Sequence, residues 1–202
     1  MKTSIALEEL PSLDEYLRIR DDWRSELMQT KRNRLVAVGD NVSLLFESYE
    51  TVKYQILEML RIEKTTDPAA IKEELDAYNP LIPDGSNWKA TMMIEYPDEQ
   101  ERRVQLKYLR GVEDLVWCSV DGQKVYAIAD EDMERSDDEK TSAVHFLRFQ
   151  LTPEMISAAT DRGAAIQFGI DHERYHFKSA EIQGESRDSL VADLNEHITH
   201  RH

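Results

Sequence analysis

The sequence has a single cysteine, Cys118, in 202 residues. That excludes an intramolecular disulfide, a multi-thiolate metal site and an all-cysteine iron–sulfur cluster. A reducing compartment fits. Positive charge is also scarce: 25 Lys and Arg stand against 40 Asp and Glu, for a net charge of −15. Free nucleic acid is therefore not an expected partner, because affinity there comes from neutralised phosphates. No apolar run approaches the roughly 18 residues of a helical membrane span. No basic start followed by an apolar core marks a secretory signal, so a cytoplasmic location and no membrane association are expected. The phosphate-loop patterns GxxxxGKS/T and GxGxxG are missing, as are HExxH and GxSxG. Internal repeats and low-complexity segments are missing too.

What remains is the composition of a folded chain, 41% hydrophobic and 32% charged, long enough to bury a core. One globular domain is expected over 1–202. Within it, the acidic run DEDMERSDDEK at 130–140 is expected to be a mobile, solvated loop. Residues 198–202, with the nearby histidines His197, His200 and His202, are expected to form a disordered tail.

The chain is organised around YETVKYQILEMLRIEK, Tyr49 to Lys64. Val52, Ile56, Met59 and Leu60 fall on one side at helical spacing, which predicts an amphipathic helix. Glu63 lies within about 20° of Val52 on the wheel, in a last turn where the helix dipole disfavours negative charge. An acid there must reach water or find a partner. Gln55 and Glu58 flank the stripe.

Before this helix, Ser12 with Glu15 reads as a capping box opening a helix to about Asn33. Tyr16, Ile19, Trp23 and Leu27 are its inward stripe. Arg20, Arg24 and Lys31 share another face, within about 40° of each other, and Arg32 and Arg34 follow. This basic stretch is either a solvated face paired with Asp21, Asp22 and Glu26 or a site for an anion or an acidic partner.

LVAVGDNVSLLFES reads as a hairpin about Gly39-Asp40-Asn41, and Asp121-Gly122 marks a second. WKATMMIEY alternates as a strand. SAVHFLRFQL carries apolar residues on both faces, as a central strand does, and places His145 and Arg148 at buried surfaces. Asp67-Pro68 and Thr152-Pro153 each open a helix. His172 and His176 read as surface histidines beside Tyr175, and Cys118 as a small buried strand residue. The sum is an α+β fold: a mostly antiparallel sheet of about seven or eight strands with about five helices packed on it.

One constellation is carried forward. Glu47, Glu58 and Glu63, with His145 and Arg148, would converge if the central helix packs on the central strand. Glu63, His145 and Arg148 are then the candidate catalytic groups, and Glu47, Glu58, Glu63 and His145 the candidate metal ligands. The same set closed on itself is a structural ion-pair network.

NRLVAVGDNVSLLFE, TVKYQILEMLRIE, EELDAYNPLIP and TSAVHFLRF, in that order, resemble the bacterial family DUF3501, over essentially residues 8–194. The resemblance brings no catalytic residues with it. It implies a neighbourhood of rubrerythrin-like and iron–sulfur oxidoreductase proteins, and so an accessory role in oxidative-stress or electron-transfer chemistry. Contact would run through the basic first-helix surface of Arg20, Arg24, Lys31, Arg32 and Arg34. The alternative is a small enzyme or a metal- or anion-binding protein using the Glu/His/Arg set.

Overall fold

The computed structural model of the chain describes residues 2–137, 139–161 and 163–195. The expected tail, with His197, His200 and His202, lies outside the described residues. So does Asp138 of the acidic run.

Helix α1 (Leu13–Asn33) begins where the capping box places it. The Ser12 hydroxyl accepts from the Glu15 amide, and the Glu15 carboxylate accepts from the Ser12 amide at 2.9 Å. A tight hairpin of β1 (Leu35–Ala37) and β2 (Val42–Phe46) follows, then α2 (Tyr49–Glu63) capped by Ser48. Asp67-Pro68 opens α3 (Pro68–Tyr78), which ends in a 3-10 turn at Asn79–Leu81. Then come β3 (Asn87–Ile94), α4 (Glu99–Tyr108), β4 (Val116–Val120) and β5 (Gln123–Tyr126). Asp121 and Gly122 both take positive φ, the conformation a two-residue hairpin turn demands. The remaining elements are β6 (Ile128–Ala129), β7 (Val144–Gln150), α5 (Pro153–Thr160), β8 (Ile166–His172), β9 (Tyr175–Lys178) and α6 (Gly184–Val191).

All strand pairings are antiparallel among the described residues, and the α+β class is as expected. The strands divide between two sheets, in the orders β1-β2-β3-β7-β6 and β5-β4-β8-β9. The chain crosses between them at Ala127, because β5 pairs with β4 while β6 pairs with β7. Strand alternation sends Val42, Leu44, Phe46, Trp88, Met92, Leu147 and Phe149 of the first sheet toward Val116, Cys118, Ile166, Phe168 and Ile170 of the second. Phe168 lies 4.6 Å from the Phe46 ring, 5.7 Å from Trp88 and 5.5 Å from Phe149, centroid to centroid, joining the sheets through one aromatic cluster. Helices α4, α5 and α6 contribute Leu106, Met155, Ile156 and Leu190 to this core, and Leu109 joins from the cap of α4.

A second, smaller core holds Val52, Ile56 and Leu60 of α2 against Leu75 of α3, with Ile5 and Ile82. The α2 stripe is therefore used mainly on α3 and the N-terminal segment. Tyr16 and Leu27 of α1 are buried as expected, but Ile19 is exposed. Among the described residues no helix is long and apolar enough to cross a membrane.

Candidate functional site

The outer face of the first sheet is the polar face of its strands. Alternation leaves Glu47 just after β2, Lys89 and Thr91 on β3, and Phe146 and Arg148 on β7 pointing away from the aromatic core. Because α2 turns its main stripe to α3, it meets this face through residues off that stripe, Thr51 and Met59. The result is a cleft of about 510 Å³, floored by the sheet and walled by Met59, by Tyr78 and Leu81, by the carboxylates of Glu74 and Asp76 on α3, and by Glu131, Asp132 and Arg135. That volume suits a small ligand.

Lys89 and Arg148 face each other directly across β3 and β7. Arg148 is held by Glu131 in a two-pronged pair, Nε to Oε2 and Nη2 to Oε1, both at 2.8 Å, while Nη1 donates to Gln150 at 2.7 Å. The pairing holds the Glu131 carboxyl below its ordinary range. Lys89 differs. Among the described residues no carboxylate pairs with it, and its ammonium donates to the Pro80 carbonyl at 2.5 Å. Burial lowers its pKa, and the Arg148 guanidinium adds to the effect against the pull of Asp84 and Glu131.

On the other side of Lys89, Glu47 is 3% exposed. Its backbone amide donates to the Lys89 carbonyl at 2.8 Å, and its carboxylate accepts from Thr91 at 2.7 Å and Thr51 at 2.5 Å. At the rim, Arg135 binds Asp132 and Asp130 and lies 4.6 Å over the Phe146 ring.

This arrangement separates the residues that sequence reasoning grouped. Glu47 and Arg148 do line one cleft. Glu63 does not join them: it is exposed at the last helical residue, so the acid reaches water rather than a buried cation. Glu58 faces α1, where it accepts from Arg20 and Tyr16, and Arg61 of its own helix donates to it as well.

His145 lies on the opposite face of β7 from Arg148 and is fully buried. Its Nδ1 is 2.6 Å from Asp130 and its Nε2 is 2.8 Å from Thr141. Thr141 and Ser136 both donate to Glu113. The series Asp130, His145, Thr141 has the outline of a nucleophile triad, but Thr141 is 1% exposed and its hydroxyl is committed to Glu113. The cluster is a latch tying the acidic segment to the fold, so the described part of 130–140 is irregular yet fastened at Asp130, Arg135 and Ser136. Glu47, Glu58, Glu63 and His145 are thus not brought together as metal ligands. Among the described residues no group of three or more His, Cys, Asp or Glu side chains is placed to hold a metal ion.

The basic first-helix surface is also divided. Arg20 is taken by Glu58. Arg34 is buried, donating to the Phe46, Glu47 and Ser189 carbonyls and to Asp193. Lys31 is half-buried over the Tyr54 ring, and only Arg24 and Arg32 of the five stand exposed. His172 is buried rather than on the surface; His176 is exposed. Sequence reasoning missed Lys89, the Glu131 clasp and the Tyr78–Leu81 wall. Only the position of Lys89 on the polar side of an alternating strand pointed to it.

A search of the curated proteins finds no match. A crystal structure of a "novel protein of unknown function" from Burkholderia pseudomallei K96243 superposes with a TM-score of 0.89 at 46% sequence identity, covering 95% of this chain and 100% of that one. The family model described as "Protein of unknown function (DUF3501)" matches residues 4–194. With nearly its whole described length matched in sequence and in fold, the chain belongs to the DUF3501 family.

Proposed function

We propose that this protein binds a small ligand in the cleft between the first sheet and helices α2 and α3. The ligand would carry an anionic group, drawn to Lys89 and Arg148, and an apolar body laid against Met59, Tyr78, Leu81 and Phe146. The observation that carries the reading is the Lys89–Arg148 pair. Two cations held side by side at the floor of a cleft repel one another, and one of them has no paired carboxylate among the described residues. An incoming anion relieves that repulsion and gains charge-assisted hydrogen bonds.

Calorimetry with a panel of aromatic and aliphatic carboxylates and phosphates tests it. At least one should bind, and Lys89→Met should weaken that binding by about tenfold or more, the worth of one hydrogen bond to a charged group. The thermal midpoint should be little changed, because a half-buried ammonium is removed and no carboxylate is stranded. Equal binding by Lys89→Met, or no binding across the panel, sinks the proposal.

A partner-binding role is the second reading, favoured by the exposure of Arg24 and Arg32 on α1. The partner would be acidic, of the rubrerythrin-like or iron–sulfur oxidoreductase kind that the family resemblance implies. Charge reversal at Arg24 and Arg32 should then weaken capture of such a partner, most at low salt, with stability changed by no more than about 1 kcal/mol per site. Unchanged capture at low salt removes this reading.

A further inference from the structure

We propose that Lys89 captures a 2-oxo acid in the cleft as an imine, its amine bonding to the carbonyl carbon while Arg148 receives the carboxylate. The inference rests on the cleft being a ligand site and names the class of ligand.

The first observation is geometric. Lys89 and Arg148 are cross-strand partners, and such partners have Cβ atoms about 5 Å apart. Their long side chains can therefore reach two functional groups on neighbouring carbon atoms of one small molecule. A 2-oxo acid offers that pair, a carbonyl beside a carboxylate.

The second observation is that the Arg148 guanidinium is already seated for a carboxylate. Glu131 grips it with both oxygens, and the Glu131 side chain is half-exposed. It is a surface carboxylate in the place a ligand carboxylate would take, and displacement turns it out to solvent. The third observation is the state of the amine. Nucleophilic lysines are desolvated or set beside another cation. Lys89 is both, in a cleft and facing Arg148, and its ammonium is directed to a backbone carbonyl rather than a carboxylate.

The step balances without an oxidant or a cofactor. The neutral amine's lone pair forms a C–N bond to the carbonyl carbon. The former carbonyl oxygen gains both nitrogen protons through solvent and leaves as water, and a C=N bond remains. The apolar wall of Tyr78, Leu81 and Phe146 favours an acid with an aromatic or branched apolar chain.

The test uses the whole chain, incubated with phenylpyruvate and sodium cyanoborohydride and then mapped by peptide mass spectrometry. Lys89 should carry several-fold more of the reduced adduct than any other lysine, the advantage of an amine desolvated beside another cation. The carbonyl-free analogue 3-phenylpropanoate should suppress it. Lys89→Arg, which removes the amine nucleophile, should yield no adduct above the background on other lysines. Should that variant fail to fold, mapping and competition on the native chain decide. Adduct spread evenly over the surface lysines overturns the inference. Where 3-phenylpropanoate still binds, the imine alone is wrong and the cleft reading stands; where it does not bind, both fall.

Discussion

Arg34 and Glu63 illustrate how a charge at similar sequence prominence takes opposite fates. Arg34 is 2% exposed and spends its guanidinium inside the fold, on three backbone carbonyls, the Ser189 hydroxyl and Asp193. It fastens α6 to the junction of β2 and α2. Arg34→Met strands a buried carboxylate and those carbonyls together, so it should cost about 3–5 kcal/mol. Glu63→Gln alters an exposed side chain at a helix end and should stay within about 0.5 kcal/mol. Urea denaturation of the two variants checks both, and a mild Arg34→Met would show that α6 does not depend on this residue.

The first and second helices are joined by a charge clamp. Glu58 accepts from Arg20 Nε at 2.7 Å, from the Tyr16 hydroxyl at 2.6 Å and from Arg61 at 3.1 Å. The Arg20 hydrogen bonds, with those of Arg61 and Tyr16, hold the Glu58 carboxyl at about 2 against an ordinary 4.5. A carboxylate whose folded pKa is depressed contributes stability that is full above its unfolded value and is lost as pH falls toward the folded one. The clamp is partly open to solvent, which screens it. Glu58→Gln should therefore reduce stability at pH 7 by about 1–2 kcal/mol. The gap to the native chain should narrow below about pH 4.5 and close near pH 2. Stability curves of both chains across that range supply the measurement; a gap independent of pH would mean that packing, not charge, joins the helices.

At the scale of the whole molecule, two antiparallel sheets share one core, and Cys118 sits fully buried in it. Burial pushes its thiol pKa up, so the thiol is protected twice, by access and by protonation. Its modification by a thiol reagent should follow opening of the core. The labelling rate at low reagent concentration should match the global unfolding free energy from urea denaturation. Fast labelling of the native chain would show that the sheets part locally. The same stacking sets the position of the cleft. One face of the first sheet is used up by the second sheet, and only the other is left for α2, α3 and a ligand.

Most elements, and the inward faces at Tyr16, Leu27, Val52, Ile56 and Leu60, were legible in the chain before folding is considered. Caps at Ser12, Asp67 and Thr152, the turn at Asp121-Gly122 and the alternation of WKATMMIEY are local, and each acts through its own backbone or within a few residues. The antiparallel α+β class follows from short connections between such elements. The split of the strands into two sheets was not legible there, since hairpin signals name sequential pairs but not the β3–β7 and β4–β8 pairings. Those long-range pairings place Lys89 against Arg148, and they put His145 on the other face of β7, with Asp130. The charged groups were legible as charges, but not as partners. An ion pair across tens of residues leaves no periodic trace in the chain, and which of Arg20, Arg34 and Arg148 meets which carboxylate is settled only when their elements pack.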